Sequence, residues 1–505
     1  MSSSEQRRRG AALSIIALVI NLVLSIFYLP ILIEYLPNNA YGIFELGAGL
    51  ILWFAMLDLG LAASVSRFYS LWREERPEYL PSLLSTSAVI YLTLLLLTAA
   101  VALYAQLNVN SIFKETMSAE ELSQIRTIIL LVVINTAFTL PTSWLSGLLN
   151  AIEEFTFVRT LLIVRSLILF LIVAVVAAIF HNPVLALAGH VAVSLFVFIA
   201  TLVFVLKSNN INLVFGRPRI SVFTQLFRFS SLVAIIIIFD LVFWRTGQII
   251  LAAVSGPLAV AAYAIVVRII TSVFMPLSTG LSSVFLAHLT RIFSTPNYNV
   301  EVNRLFVKVG RLQSIIIWAF IGLYICCGQL GLNLWLGSEY EVVYPSTLVL
   351  LLSLSFSSIQ TLSTPILQAK NRLGFKASVF SVLLILFLLL SVPIATRFGV
   401  LGLALLGASL LFFGTGPIMN WYFYFKLNLD IPTFFREVYR VPLYSSASSF
   451  LSILMVNFTS VGNTLVGFAL NAVIFACFYS TIIFGIYMNT EEKLLMRTLL
   501  RLLGR

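Results

Sequence analysis

The chain has 505 residues, of which 60% are hydrophobic and only 10% are charged. A soluble globular protein carries about 25% charged residues, so a chain of this length and composition cannot cover its surface with polar groups in water. Its apolar runs are about twenty residues or longer, enough to cross a bilayer as helices, whereas strands of a membrane barrel are about ten residues of alternating polarity. The sequence therefore excludes a soluble protein and predicts an all-α polytopic membrane protein.

Apolar runs between charged or Pro-, Gly- and Asn-rich breaks predict about fourteen membrane-spanning helices. The first six predicted spans are 11–34, 42–66, 80–106, 126–150, 159–180 and 183–206. The next six are 229–253, 259–287, 309–336, 345–368, 376–396 and 399–425. A final pair is predicted at 441–460 and 463–488.

The distribution of basic residues predicts the orientation of these spans. With the N-terminus inside, the segments on that side hold 25 of the 31 Lys and Arg residues, and the opposite side holds only Lys114, Arg126 and Arg397. This asymmetry follows the positive-inside rule, and an even number of spans places both termini in the cytoplasm of a cell inner membrane. The net charge of +11 is thereby explained by topology, and we expect no nucleic-acid partner.

Short sequence matches indicate an internal repeat. Ala40-Tyr41-Gly42-Ile43 returns as Ala262-Tyr263-Ala264-Ile265, about 220 residues later, and Leu149-Asn150-Ala151 returns as Leu367-Gln368-Ala369 at a similar offset. Matches in order at a nearly constant offset favour two six-helix lobes of the same orientation, with a site at the interface between them. The predicted divisions are an N-terminal lobe at 1–210, a C-terminal lobe at 211–428, and the last two helices with a cytoplasmic tail at 429–505.

Six charged residues fall inside the predicted spans: Arg165, Arg245, Arg268, Glu45, Asp58 and Asp240. A charge at the middle of a bilayer costs about 2.5–3.5 kcal/mol on insertion scales, so each of them needs a partner or a water-filled cavity. Asp240 and Arg245 share one helix, but five residues turn it by about 140°, so the two side chains point to different faces. At least one of the two should therefore face something else.

Arg245 and Arg268 lie on consecutive predicted helices in the outer half of the second lobe. Two guanidinium groups there can bind a phosphate or diphosphate through forked hydrogen bonds; the alternative is that each pairs with an acid on a neighbouring helix. Arg165 is a third candidate for the same cavity, or it extends to the cytoplasmic boundary. Asp58, Asp240 and Glu45 each have two alternative roles. They couple or gate transport, or they form an interhelical hydrogen bond or a helix cap.

The first two predicted helices carry motifs of a known family. Arg9-Gly10 precedes the first span, Ala40-Tyr41-Gly42-Ile43-Phe44 opens the second, and Leu57-Asp58-Leu59-Gly60-Leu61 and Ser64-Val65-Ser66-Arg67 follow near its end. In these motifs, the number of spans and the repeat, the chain resembles the Wzx-type polysaccharide-biosynthesis (O-antigen) flippases of the MOP superfamily.

The resemblance implies two six-helix bundles in a V around a central cationic cavity. It implies a flippase that moves undecaprenyl-diphosphate-linked oligosaccharide from the inner to the outer leaflet by alternating access, driven by ions or the membrane potential. It places Arg67 at a cytoplasmic gate and implies a monomer in membrane lipid, with a polysaccharide polymerase and a chain-length regulator as partners. In the related lipid II flippases the last two helices form a hydrophobic groove for the lipid tail.

Two other functions are compatible with the composition. A MATE-like multidrug or organic-cation exporter would favour a net acidic cavity, whereas the buried acids and arginines here are equal in number. A membrane enzyme acting on lipid-linked sugars needs a large external loop with catalytic residues, and the predicted outside loops are short. The loops hold no metal-type Asp pair and the chain has no Gly-rich phosphate motif, so we expect neither an enzyme nor a cofactor.

Overall fold

The structure is a computed structural model that describes residues 3–36, 39–58, 60–113, 116–208, 213–279, 292, 298–370, 372–457, 464–489 and 492–493. Helices are the only regular secondary structure in these described residues. The chain divides into two compact units, one formed by Met1–Ala264 with Leu388–Val400 and the other by Ile265–Phe387 with Leu401–Arg505.

The first unit contains nine helices of five or more residues that are followed by the start of a tenth. These are α1 (Ser3–Tyr35), α2 (Asn39–Ala55), α3 (Leu61–Glu75), α4 (Leu80–Leu107), α5 (Val109–Phe113), α6 (Ala119–Ala151), α7 (Phe155–Phe180), α8 (Pro183–Lys207), α9 (Ile220–Val254) and α10 (Pro257–Arg268). Helix α6 packs on α2, α3, α4 and α8, and α9 packs on α2 and α3. The first unit has an apolar core that includes Val65, Trp72, Leu83, Leu148 and Leu226.

The second unit begins within α10, which continues as a π-helical turn. Its further helices in the described residues are α11 (Met275–Thr279), α12 (Tyr298–Leu336), α13 (Val343–Ile359), α14 (Ser363–Ala369), α15 (Leu373–Phe413), α16 (Met419–Leu427), α17 (Ile431–Val438), α18 (Arg440–Asn457) and α19 (Leu465–Ile482). Helices α18 and α19 pack on each other and both pack on α12. The last predicted pair of spans therefore packs mainly on the long helix α12 of its own unit.

Local sequence signals explain where several helices start. Ser118 and Glu121 form a capping box at α6, in which the Ser118 side chain accepts from the Glu121 N–H and the Glu121 carboxylate accepts from the Ser118 N–H at 2.7 Å. Asn182 caps α8 with Pro183 at its first position, and Thr464 caps α19. Each cap satisfies N–H groups that lipid could not.

The predicted fold class is confirmed. Eight helical stretches of the described residues are long and apolar enough to cross a membrane, and three shorter apolar helices accompany them. One stretch, Leu373–Leu427, has 55 residues and contains Gly399 at φ 56° and ψ −138°, so it comprises the eleventh and twelfth predicted spans. The end of the eighth predicted span, 280–287, and residues 458–463 of the last pair lie outside the described residues.

The second predicted span is interrupted. Helix α2 ends at Ala55, a 3-10 turn covers Met56–Asp58, and α3 starts only at Leu61. Gly60 has φ 76°, a left-handed conformation that is strained for residues with a Cβ, and it is the N-cap residue of α3. The tenth predicted span is likewise divided, into α13 and α14. The lobe boundaries at 210 and 428 remain predictions.

Candidate functional site

A cleft of about 410 Å³ opens among α3, α6, α7 and α8 of the first unit. Most of its polar wall comes from hydroxyl and amide groups: Thr139, Thr142, Ser143, Ser146 and Asn150 on α6, with Ser194 and Thr201 on α8. The wall between α3 and α6 is closed by a tight contact, because a Cβ on Gly147 would lie 2.7 Å from the carbonyl oxygen of Ala62. These side chains form a hydrogen-bonding surface within apolar helices.

Helix α7 supplies the charge of the cleft through Arg159 and Arg165. Helix α7 begins at Phe155, so Arg165 lies ten residues inside it, about 15 Å along its axis. No acidic side chain is among the described residues that line the cleft. Guanidinium groups stay protonated and offer forked donors, so a cleft with two of them is suited to an anionic group such as a phosphate.

Asp58 lies beside this cleft, at the interruption between α2 and α3. One of its carboxylate oxygens accepts a hydrogen bond from the Tyr91 hydroxyl of α4, and the other accepts from the Ala62 N–H at 3.4 Å. Ser143, which lines the cleft, lies close enough to Asp58 and Tyr91 to interact electrostatically with both. The structure thus connects two predicted site residues, Arg165 and Asp58, to one cleft.

Glu45 is buried on α2, where 3% of its surface is exposed. Its carboxylate accepts a hydrogen bond of 3.0 Å from the Tyr41 hydroxyl one turn earlier. Glu45 is not among the described residues that line the cleft, and its coupling role stays a prediction.

The other predicted site residues occupy separate places. Arg245 is half-buried on α9 and interacts electrostatically with the buried Tyr263, whereas Asp240 is exposed on the same helix. Arg268 is the last residue of α10, in the second unit, where the helix becomes π-helical over Ile269–Phe274. Such π-helical turns are frequent at functional sites. Arg67 is exposed on α3, with its guanidinium 6.0 Å from the Phe68 ring centre.

Sequence reasoning missed Arg159, Tyr91 and the hydroxyl groups of α6. Arg159 is the first residue of the fifth predicted span, 159–180, where a basic residue is expected, whereas α7 begins at Phe155 and places it about one turn inside the helix. The hydroxyl groups at 139, 142, 143 and 146 provided a usable signal, since four of them within eight residues is dense for a membrane helix.

The second unit has a charged cluster of its own, also missed, which lies at one end of α12. A pocket of about 480 Å³ there is lined by three cations and three acids: Arg304, Lys308, Arg311, Asp430, Glu437 and Glu492. Because these charges are equal in number, this pocket is formally neutral. The acid-free cleft of the first unit is therefore the stronger candidate for binding an anion.

Comparison with solved structures places this arrangement in a known fold. The lipid II flippase MurJ in an inward closed conformation matches with a TM-score of 0.72 at 13% sequence identity, covering 94% of this chain and 99% of that one. An inward-facing multidrug resistance MATE family transporter matches with a TM-score of 0.61 at 11% identity, covering 80% of this chain and 97% of that one. The chain has the fold of the MOP superfamily.

The MOP fold is also that of a Vibrio cholerae MATE transporter in a bent form, which matches with a TM-score of 0.50 at 16% identity over 84% of this chain and 97% of that one. The sequence matches no protein-family model and no curated protein. The fold of this chain is one of transporters and flippases, and the buried charges described above lie within it.

Proposed function

We propose that this protein is a flippase that moves undecaprenyl-diphosphate-linked oligosaccharide, an O-antigen or another exported repeat unit, from the inner to the outer leaflet by alternating access. The observation that carries the proposal is the cleft of the first unit, with two arginines, many hydroxyl groups and no acid among its described lining residues. Such a surface complements a headgroup made of a diphosphate and sugars.

The physical requirements of the substrate match the cleft. A diphosphate loses its hydration only where cations and donors replace it, which Arg159 and Arg165 provide. Sugar hydroxyls exchange water for the hydroxyl and amide groups of α6 and α8 at little net cost. The polyprenyl chain needs no site of its own in the cleft, since it remains in lipid.

The other charged residues complete the proposed mechanism. Arg245 and Arg268 hold the diphosphate elsewhere on its path, and Arg67 gates the cytoplasmic side. Ions or the membrane potential drive the cycle, with Asp58, Glu45 and Asp240 as coupling or gating residues. The interruption beside Asp58 supports a gating role there, because broken helices at membrane depth mark the moving and binding regions of transporters.

The proposal includes a cell inner membrane with both termini cytoplasmic, and a monomer that serves a polysaccharide polymerase and a chain-length regulator. The match to a lipid II flippase over 94% of the chain supports a lipid-linked substrate, because that protein's named cargo is also lipid-borne. An exporter of organic cations is disfavoured by the cleft, since two guanidinium groups repel a cation.

A reconstituted transport assay tests the proposal. Liposomes with the purified protein and a fluorescent undecaprenyl-diphosphate oligosaccharide are treated with an impermeant quencher, which reports how fast the lipid changes leaflet. We expect wild-type protein to accelerate this exchange and Arg165→Ala, Arg245→Ala and Arg268→Ala each to reduce it at least tenfold, the loss of about 1.4 kcal/mol or more of headgroup binding.

The matched control is Arg217→Ala, which removes an exposed arginine outside the cleft and should keep the wild-type rate. A wild-type protein that moves cationic dyes and leaves the diphosphate-linked lipid in place would overturn the proposal in favour of a MATE-like exporter. Full activity in both Arg245→Ala and Arg268→Ala would show that these two residues do not contact the substrate. The cleft is tested separately by the activity of Arg165→Ala.

A further inference from the structure

A second cationic pocket lies in the second unit, beside the neutral charged pocket already described. It has a volume of about 210 Å³, about seven times the ~30 Å³ of a water molecule. Its lining comes from α12, α17, the start of α18 and the turn after α19: Arg311, Thr433, Arg436, Glu437, Arg440, Tyr444, Ile486 and Tyr487. Three arginines against one glutamate give this pocket a formal charge of +2.

The three arginines differ in what they contact. Arg311 is already satisfied, because it pairs with Glu437 and Glu492 and its guanidinium lies 4.5 Å from the Tyr487 ring centre. Arg436 and Arg440 are exposed at the pocket rim and make no hydrogen bond or ion pair with a described residue. Within the part of the chain that the structure describes, nothing occupies their donors, and Arg311 with its acids forms a rigid floor.

An apolar strip leads away from this pocket along α18. Leu443, Phe450 and Leu454 are exposed by 60%, 63% and 40%, and spacings of seven and four residues place them on one face of the helix. Ile486, which lines the pocket, is 71% exposed. A cationic pocket that continues into an exposed apolar strip matches a molecule with an anionic head and acyl chains.

We infer that this pocket binds the phosphate headgroup of an anionic glycerophospholipid from the leaflet at that end of the second unit, with the acyl chains along α18. The basic residues at this end predict that leaflet to be the cytoplasmic one, whose anionic lipids attract such clusters. The site is separate from the proposed headgroup cleft, which lies in the first unit. The bound lipid fastens α17 and the last two helices to the membrane surface.

Lipid retention measures this site directly. The purified protein is incubated in detergent with equal amounts of phosphatidylglycerol and phosphatidylcholine, washed, and its bound lipids are quantified by mass spectrometry. We expect about one phosphatidylglycerol per protein in preference to phosphatidylcholine, and a loss of roughly ten- to thirty-fold in its affinity in the double variant Arg436→Gln, Arg440→Gln. The matched control is Arg73→Gln, Arg76→Gln, two exposed arginines of the first unit, which should retain the lipid.

Several outcomes would overturn the inference. Equal retention in the double variant and its control would show that these arginines hold no lipid. Displacement of phosphatidylglycerol by millimolar inorganic phosphate would assign the pocket to free phosphate, and displacement by an equal amount of a polyprenyl phosphate would assign it to the carrier lipid. If the double variant unfolds at a lower temperature than wild type, the wild-type protein is washed in 0.5 M NaCl instead. Salt screens the attraction between the arginines and the phosphate, so the lipid should be released. Unchanged retention after this wash would contradict the site.

Discussion

The Nε atom of Arg311 on α12 lies 2.8 Å from a carboxylate oxygen of Glu492, which follows the last span in the chain. Nη2 of the same arginine donates to the other oxygen of Glu492 at 3.1 Å and to the Tyr487 carbonyl oxygen at 3.1 Å. Nη1 pairs with Glu437, close to the end of α17. One guanidinium thereby joins three parts of the second unit that are distant in sequence.

Replacing Glu492 with glutamine should destabilise the second unit. The change removes one charge of a forked pair whose carboxylate side chain is almost fully buried, so we expect a loss of about 2 kcal/mol at pH 7. Thermal unfolding of the detergent-solubilised protein measures it. The control is Glu75→Gln, which removes an exposed acid at the end of α3 and should leave the unfolding temperature unchanged.

The same pair predicts how this stabilisation depends on pH. Burial acts to raise the pKa of Glu492, but hydrogen bonds from Arg311 and from the Asn489 N–H outweigh it and hold that pKa below its ordinary value of about 4.5. A carboxyl group whose pKa falls on folding stabilises the protein fully above its ordinary pKa, and the effect is lost as the pH falls through the lower native value. The gap in unfolding temperature between wild type and Glu492→Gln should therefore be constant from pH 7 to about 5.5 and close below about 4.5. A gap that widens on acidification would contradict the pairing.

Gly42, in the first family motif, should not tolerate even one methyl group. A Cβ at this position would lie 1.9 Å from the carbonyl oxygen of Pro257, a backbone atom at the start of α10. Gly42→Ala should cost about 1–3 kcal/mol and reduce the yield of folded protein. Gly374→Ala is the control, because a Cβ there meets nothing within 4 Å, and alanine is the better helix former. Equal unfolding temperatures in the two variants would mean that α2 and α10 can separate without cost.

The sequence could predict the helices but not most of their contacts. Hydropathy over about twenty residues determines where a span lies, which is why each predicted span overlaps helical segments of the described residues, with interruptions in the second and tenth. In the sequence, Gly42 and Gly60 are recognisable only as residues of the family motifs. Glycine is needed at position 42 because a carbonyl group more than 200 residues away lies against it. Glycine is favoured at position 60 because its φ is positive, a conformation that many sequences could produce.

The candidate site likewise contains residues that the sequence could identify and residues that it could not. Arg165 and Asp58 were identifiable because a charge within an apolar run is costly and therefore informative. Arg159 was not, because an arginine near a helix end is equally well explained by the positive-inside rule. The partnership of Tyr91 with Asp58 joins α4 to the interruption after α2, and no local pattern in either segment indicates it.

Two substitutions in the hydrogen-bond network around Asp58 should distinguish a structural role of this residue from a coupling role. Tyr91→Phe removes the hydroxyl donor and keeps the carboxylate, while Asp58→Asn keeps most of the hydrogen bonds and removes the charge. If Asp58 couples transport to an ion, Asp58→Asn should lose at least tenfold in the rate of lipid translocation while its unfolding temperature stays near that of wild type. Tyr91→Phe should retain transport and lose about 1 kcal/mol of stability. The liposome assay measures the rate of translocation, and thermal unfolding measures stability. An Asp58→Asn variant that loses stability but keeps transport would assign Asp58 a purely structural role.

The last two helices should detach from α12 when one buried amide is removed. Asn471 on α19 is buried, its Nδ2 donates to the Cys326 carbonyl oxygen of α12 at 3.0 Å, and its Oδ1 accepts from the Ser452 hydroxyl of α18. In lipid the hydrophobic effect does not drive helices together, so such hydrogen bonds and close packing must do so, at about 0.6 to 1.7 kcal/mol each. Asn471→Leu should therefore lower stability in a dodecyl sulfate titration by about 1–2 kcal/mol, while Ser480→Ala, which removes an exposed hydroxyl bonded within its own helix, should not. Because α19 has an apolar surface on its other sides, a released pair would remain in the bilayer. Loss of the contact with α12 should appear as new labelling of the buried Cys326 and Cys327 by a membrane-permeant maleimide, without loss of membrane insertion.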